Sequence, residues 1–407
     1  MVAGKHGFMV FVYTFAALLL FAGCAGGRNT GWNDEDVQWF LEQYDDLKTK
    51  YFVGKFGVDN NPSGWDHGAY LRAYIDMYEA THDIRMLRNL NELLKIVADG
   101  NDALTGRADD RTNTVLPGWG TREYDYGPNG GERYSDMLTN ALFAYPLAAF
   151  ARIVYEHPHL RSEFGADADR YYQMVRELYQ VHAPFVRDAR SPYRDGTEGM
   201  YYAYPENYYE ERENLSGVEA PINITAIIAE PLVELYQASV AAGQANEEYR
   251  NTVEKVGHYI WQNMRLETTE AGDAYLVWYY WPADIHPETR RMEDPTHGAR
   301  VAEFTVSLYD VGLRSRWTKE KLQYLANTFT CGVAIGGNKF ANYIDGTGGI
   351  YEDDAATLYE WLVLQRYSYT SSRGTIKQLL TSAIEAEGED AKYNLAVFAK
   401  LLRYGSD

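Results

Sequence analysis

Helical periodicity runs through almost all of this 407-residue chain, and the connections between its helical segments alternate between short and long. Apolar side chains at three- and four-residue spacing predict helices over 36–50 and 67–82, then a close partner carrying Leu87, Leu90, Leu94 and Val97. Further helices are predicted over 134–155, 168–182, 221–241, 247–264, 295–311, 319–328, 353–367, 375–386 and 390–404. Loops rich in Gly, Pro, Tyr and Trp separate alternate pairs, at 54–66, 106–131, 191–219, 271–294 and 332–351. Hairpins closed by short turns on one side and joined by long loops on the other close into a ring. Its inner helices pack on outer ones, and the long loops gather at one rim. The fold class read from this pattern is all-α: an (α/α) toroid or barrel of about six helical hairpins. No fixed repeat length is visible, which argues against a tetratricopeptide-type solenoid.

The N-terminal segment reads differently. Lys5 precedes an apolar run over residues 8–21, which ends in Leu20-Phe21-Ala22-Gly23-Cys24. The run is short for a bilayer span and closes on small residues before a cysteine. It resembles a bacterial lipoprotein signal, with Phe21 where the motif usually has Leu; the resemblance implies lipidation of Cys24. The expected organisation is a signal peptide over 1–23, a tether over 24–34 and a catalytic barrel over 35–407. The expected location is exported and membrane-anchored, on the periplasmic or cell-surface side. Losing residues 1–23 removes Lys5 and no acid, so the net charge moves from −20 to −21. Such a surface repels nucleic acid and anionic lipid. Besides Cys24 the only thiol is Cys331, so a lipidated chain forms no internal disulfide, and core size must supply its stability. The 35 tyrosines and 9 tryptophans suit both helix packing and sugar stacking.

The segment Gly64-Trp65-Asp66-His67-Gly68-Ala69-Tyr70-Leu71-Arg72, running on to Ala80-Thr81-His82-Asp83, resembles the first hairpin of six-hairpin (α/α)-barrel carbohydrate-active enzymes. There a loop bearing Trp and Gly leads into a helix that ends in an Ala-Thr-Gly-Asp-like turn; His82 stands where that turn has Gly. The resemblance spans most of residues 35–404 and implies a polysaccharide as partner. It does not select among hydrolase, lyase and epimerase.

The sharpest chemical constellation is Glu293-Asp294-Pro295-Thr296-His297-Gly298-Ala299-Arg300. Asp294 is a good N-cap and Pro295 suits the first helical position. His297 and Arg300 then share a face near the helix start, just after the aromatic stretch Trp278-Tyr279-Tyr280-Trp281. Arg133, Tyr134 and Asn140 flank a glycine-rich loop that also carries Trp119, while Trp65, Asp66 and His67 are expected to be loop residues able to stack on a sugar and bond its hydroxyls. For β-elimination from a uronic-acid polymer, His297 and Tyr134 would move protons and Arg300 would neutralise the carboxylate. Trp65, Asp66, His67, Trp119, Arg133, Asn140 and Glu293 would then bind substrate. This is the favoured reading. Hydrolysis by a carboxyl pair drawn from Asp66, Glu293, Asp294, Glu352 and Asp353 is the alternative, as is a surface lipoprotein that binds glycan without cleaving it. No HExxH, EF-hand, P-loop or Rossmann motif appears, so neither metal nor cofactor is expected, and oligomeric state is left open. His157-Pro158-His159 reads as an exposed turn. Replacing Cys24 by Ser is expected to abolish lipid labelling, because thioether lipidation needs sulfur, and either to release the protein from the membrane fraction or to leave its signal uncleaved; labelling that persists in this variant contradicts the anchor.

Overall fold

A computed structural model describes residues 33–56, 63–122, 131–189, 198–205, 209–210, 213–282, 291–313, 316–368, 374–387 and 394–405. The lipoprotein segment around Cys24 lies outside them. In chain order the longer helices are α1 (Asp34–Glu42), α2 (Gly64–Thr81), α3 (Ile84–Asp99), α4 (Met137–Glu156), α5 (Arg161–His182), α6 (Ile222–Ala241), α7 (Glu247–Gln262), α8 (Pro295–Asp310) and α9 (Lys319–Asn327). A 3-10 helix, Ala355–Tyr367, follows, then α10 (Ile376–Glu387) and α11 (Asn394–Tyr404).

These elements alternate between an inner and an outer layer. α2 packs on α4, α4 on α6, α6 on α8, α8 on the 3-10 helix, that helix on α11, and α11 back on α2. The inner ring therefore closes. Outside it, α3 lies on α2, α5 on α4, α7 on α6, and α9 and α10 on the 3-10 helix. α1 covers the seam between α2 and α11, with Phe40 edge-on to Tyr74 at 4.9 Å and Trp39 against Phe398 at 4.7 Å. The protein is an all-α toroid. Because inner and outer helices alternate, the inner N-termini share one rim with the long loops, and among the described residues five short antiparallel two-stranded ladders decorate those loops.

α4 and α6 are apolar almost all round and are long enough to cross a bilayer by length and composition alone. Here they pack on each other in the inner layer, where a helix with no polar face belongs. The barrel axis is charged. Arg72 of α2 bonds Glu230 of α6 at 2.6 Å and meets Glu303 of α8 at 3.3 Å. Lys400 of α11 bonds Glu303 at 2.6 Å and meets Asp76 of α2 at 3.3 Å, while Arg403 bonds Asp76 at 2.7 Å. Arg300 of α8 bonds Glu360 of the 3-10 helix at 2.7 Å, and Arg152 of α4 bridges Glu79 and Glu234 at 2.6 and 2.5 Å. All six inner elements contribute a charge to this chain of pairs.

Two expectations need correcting. Ser63 caps α2, so Trp65, Asp66 and His67 occupy the first helical turn and not a loop. The segment expected as an α-helix over 353–367 winds as a 3-10 helix. Its three-residue turn aligns Ala355, Leu358, Trp361, Leu364 and Tyr367, all buried, on one face. At the α2 C-terminus His82 adopts a left-handed conformation with φ of 53°, the geometry for which the resemblance expects glycine. His82→Gly is expected to stabilise the fold by about 1 kcal/mol, read as a small rise in Tm, less what is lost with the Tyr78–His82 ring contact.

Candidate active site at the barrel mouth

The α8 N-terminus opens onto the rim of long loops. Asp294 caps it, its Oδ1 accepting the His297 N–H at 3.0 Å, and Pro295 fills the first helical position. That cap turns the His297 ring back toward Asp294, and Nδ1 lies 2.6 Å from Oδ2. Glu293, one residue earlier, is pinned by its backbone: its N–H donates to Trp278 and its carbonyl accepts from Ile344. Its side chain is fully buried, with Trp278 Nε1 donating to Oε2 at 3.3 Å. The other oxygen, Oε1, has no hydrogen-bond partner. Donor atoms from Glu293, Asp294 and His297 lie within 4.8 Å of one another, so among the described residues these three side chains form a group that could hold a metal ion.

The surroundings divide these groups electrostatically. Burial pushes the Glu293 carboxyl up to about 8, and the neighbouring Asp294 charge works in the same direction against the pull of His297. Burial also acts on Asp294, but the His297 hydrogen bond and charge outweigh it and hold that carboxyl below the usual range. Burial lowers His297, yet the bond and charge of Asp294 and then the charge of Glu293 raise it above its ordinary value. Asp294 and His297 keep partial exposure, 27% and 35% of their side chains, whereas Glu293 is sealed.

Aromatic rings frame the cluster. α2 and α8 stand opposite each other in the ring, and Trp65 reaches across the mouth to place its ring 6.1 Å from that of His297. Tyr280 flanks the other side at 5.9 Å, with the Arg291 guanidinium 4.2 Å over its face. Arg300 lies beneath Trp65, 5.2 Å from its ring, and ties the mouth to the axis through Glu303 and Glu360. Thr296 bonds Tyr351 at 2.6 Å, which anchors the loop before the 3-10 helix to the same rim.

Of the residues singled out in the sequence, Trp65, Glu293, His297 and Arg300 come together here, and Asp66 is exposed on the turn that carries Trp65. His67 is turned inward, each ring nitrogen facing a carbonyl oxygen, of Ser63 at 2.5 Å and of Tyr51 at 2.6 Å. Tyr134, Arg133, Trp119 and Asn140 form a separate knot at the start of α4. Arg133 is buried and paired with Asp102 at 2.5 Å; Trp119 is buried and donates from its backbone to Asn140 Oδ1 at 2.7 Å and from its ring to Val97. Tyr134 is buried under the Arg111 guanidinium, 3.6 Å from its ring, and pairs its backbone with Thr121. The neighbours of His297 are Asp294, Trp65 and Tyr280, so the structure does not assemble a His297–Tyr134 couple. Arg300, with both ends of its guanidinium on carboxylates, is not held ready for a substrate carboxylate. Sequence reasoning missed Glu303 and Glu360 as its partners; Arg300 and Glu303 at i and i+3, set among Ala299, Val301, Ala302 and Phe304, were the available signal.

No protein-family model matches the chain, and no curated protein matches it. Among solved structures it is similar to two inactive variants of the alpha-1,6-mannanase GH76A of Salegentibacter sp. HEL1_6. One is in complex with alpha-1,6-mannotriose, at 11% identity over 92% of this chain and 99% of that one, with a TM-score of 0.48. The other is in complex with alpha-1,6-mannotetrose, at 12% identity over the same shares, with a TM-score of 0.47. The toroid itself is established by this chain's own ring of helix contacts.

The α4 knot carries its own titrating group. His182 packs against Ser135, whose hydroxyl accepts from Asn140, and burial pushes the imidazole down to about 4 although Asp109 opposes this. An unfolded histidine binds its proton near pH 6.5, so between there and pH 4 the unfolded chain holds a proton that the native state does not. His182 therefore costs stability as pH falls through that window. Urea midpoints from pH 7 to 4 are expected to fall less steeply in His182→Gln than in the wild type.

Proposed function

We propose that this protein is a glycoside hydrolase that cleaves a polysaccharide at the barrel mouth, with Glu293 and Asp294 as its carboxyl pair. One observation carries the reading. Two adjacent carboxyl groups, with oxygens within 4.8 Å, sit in contrasting surroundings beneath sugar-sized aromatic rings: one sealed without a partner for Oε1, the other partly exposed and held by an imidazole. Glycosidic cleavage needs one carboxyl group that keeps its proton and one that is ionised, and environments of this kind separate the two. Asp294 attacks the anomeric carbon and forms a glycosyl-enzyme, which water then hydrolyses as the deprotonated Glu293 takes the water's proton. Glu293 protonates the departing oxygen through Oε1, so substrate binding must expose that atom. A separation this short leaves no space for a water between the carboxyl groups, which favours retention of configuration. Trp65, half-buried at the mouth, supplies a stacking face for a sugar ring, while Tyr280, buried under Arg291, backs the cluster.

The residues required for uronate β-elimination are not gathered in one place, which favours the hydrolase over the lyase. The pattern of residues 8–24 supports export and a lipid anchor at Cys24 for the same enzyme.

A panel of neutral and uronic polysaccharides, followed both by reducing ends and by absorbance of unsaturated uronides, tests the activity. Release of reducing ends without the uronide absorbance is expected. Asp294→Asn, which keeps an N-cap, and Glu293→Gln should each lower kcat by about 10²–10⁴-fold in folded protein, the scale of lost acid–base help. Unsaturated products contradict the hydrolase, and glycan binding without cleavage leaves a binding lipoprotein.

A further inference from the structure

We propose that Glu293, Asp294 and His297 bind a single divalent transition-metal ion of the zinc class. Three donors converge from positions i, i+1 and i+4 at the start of α8, all within 4.8 Å of one another. A cluster of this kind is common on surfaces without an ion. Here a second feature points to a ligand: Glu293 is fully buried, and its Oε1 has no hydrogen-bond partner. A buried, unsatisfied carboxyl oxygen is costly unless something fills its place.

Donor chemistry selects the ion. One imidazole nitrogen and two carboxylate oxygens suit zinc and its first-row neighbours, whereas calcium seeks six to eight oxygens. Ligands at about 2.0–2.1 Å around a tetrahedral zinc stand about 3.4 Å apart, so modest side-chain rotation closes the cluster on an ion. Nδ1 and Oδ2, now 2.6 Å apart with a proton between them, would both turn to the metal and release that proton, while Asp294 Oδ1 keeps the helix cap. The positive helix terminus and Arg291 oppose binding, and two carboxylates outweigh them only if both are charged. The inference rests on this geometry and not on the hydrolase reading. In a hydrolase, the bound ion would take the acid's proton site and inhibit cleavage.

Calorimetric titration of the folded protein with Zn²⁺, with Ca²⁺ as control, tests the site. The expected result is saturable one-to-one binding of Zn²⁺, accompanied by a raised Tm, with no response to Ca²⁺. Asp294→Asn, Glu293→Gln and His297→Ala should each weaken binding at least tenfold. A double variant, His157→Ala with His159→Ala, removes a competing histidine pair and should bind as the wild type does. Absence of Zn²⁺ binding, or binding lost only in the His157/His159 variant, overturns the site. Polysaccharide cleavage measured in EDTA reads the hydrolase separately. Cleavage without zinc binding removes the metal site alone, and zinc binding without cleavage removes the hydrolase alone.

Discussion

The ring is held closed by charges on its axis. Every inner element places at least one ionisable side chain there, and the pairs run across the ring as well as around it: Arg72 reaches both Glu230 and Glu303, and Lys400 reaches both Asp76 and Glu303. Burying such groups costs several kcal/mol per ion, and removing one partner of a buried pair costs about 3–5 kcal/mol. A network of this kind is therefore weak as a source of net stability and strong as a specification. Helices packed by apolar faces alone can slide or rotate, whereas Glu303 meets Arg72, Lys400 and Arg300 together in one register only. Those cations hold its carboxyl well below the usual range although burial opposes them, while burial raises Glu230 and Glu360.

The mouth inherits its geometry from this axis. Arg300 is the hinge between them: one end of its guanidinium is committed to Glu303 and the other to Glu360, and its face supports Trp65. Trp65 in turn lies beside His297, whose position is fixed by the Asp294 cap. An arginine that in sequence reads as a substrate clamp is thus a support under the aromatic wall. The chemistry passes to the residues just above it, where one carboxyl group is sealed and its neighbour is held by an imidazole.

Much of the architecture was legible because it is local. The alternation of short and long connections encodes inner and outer layers directly, and Asp294-Pro295 announces a helix start that brings His297 to the rim. The pairing on the axis was not legible, since Arg72 and Glu230 are 158 residues apart and a charge on an apolar helix such as α6 signals burial without naming its partner. Misplacing the start of α2 had the same origin in reverse: Ser63 is a sufficient cap, but Trp65 and two glycines looked like loop composition. Tyr134 and Arg133 resembled catalytic residues by chemistry alone, and only the fold reveals that Arg111 and Asp102 occupy them.

The most direct test of the account is a crystal structure of the Asp294→Asn protein with an oligosaccharide that the wild type cleaves. The account predicts a sugar ring against Trp65, with a glycosidic oxygen within hydrogen-bond reach of the carboxyl group of Glu293. Glycan bound at the opposite rim, beside short turns such as His82-Asp83, with the α8 N-terminus empty, would contradict it.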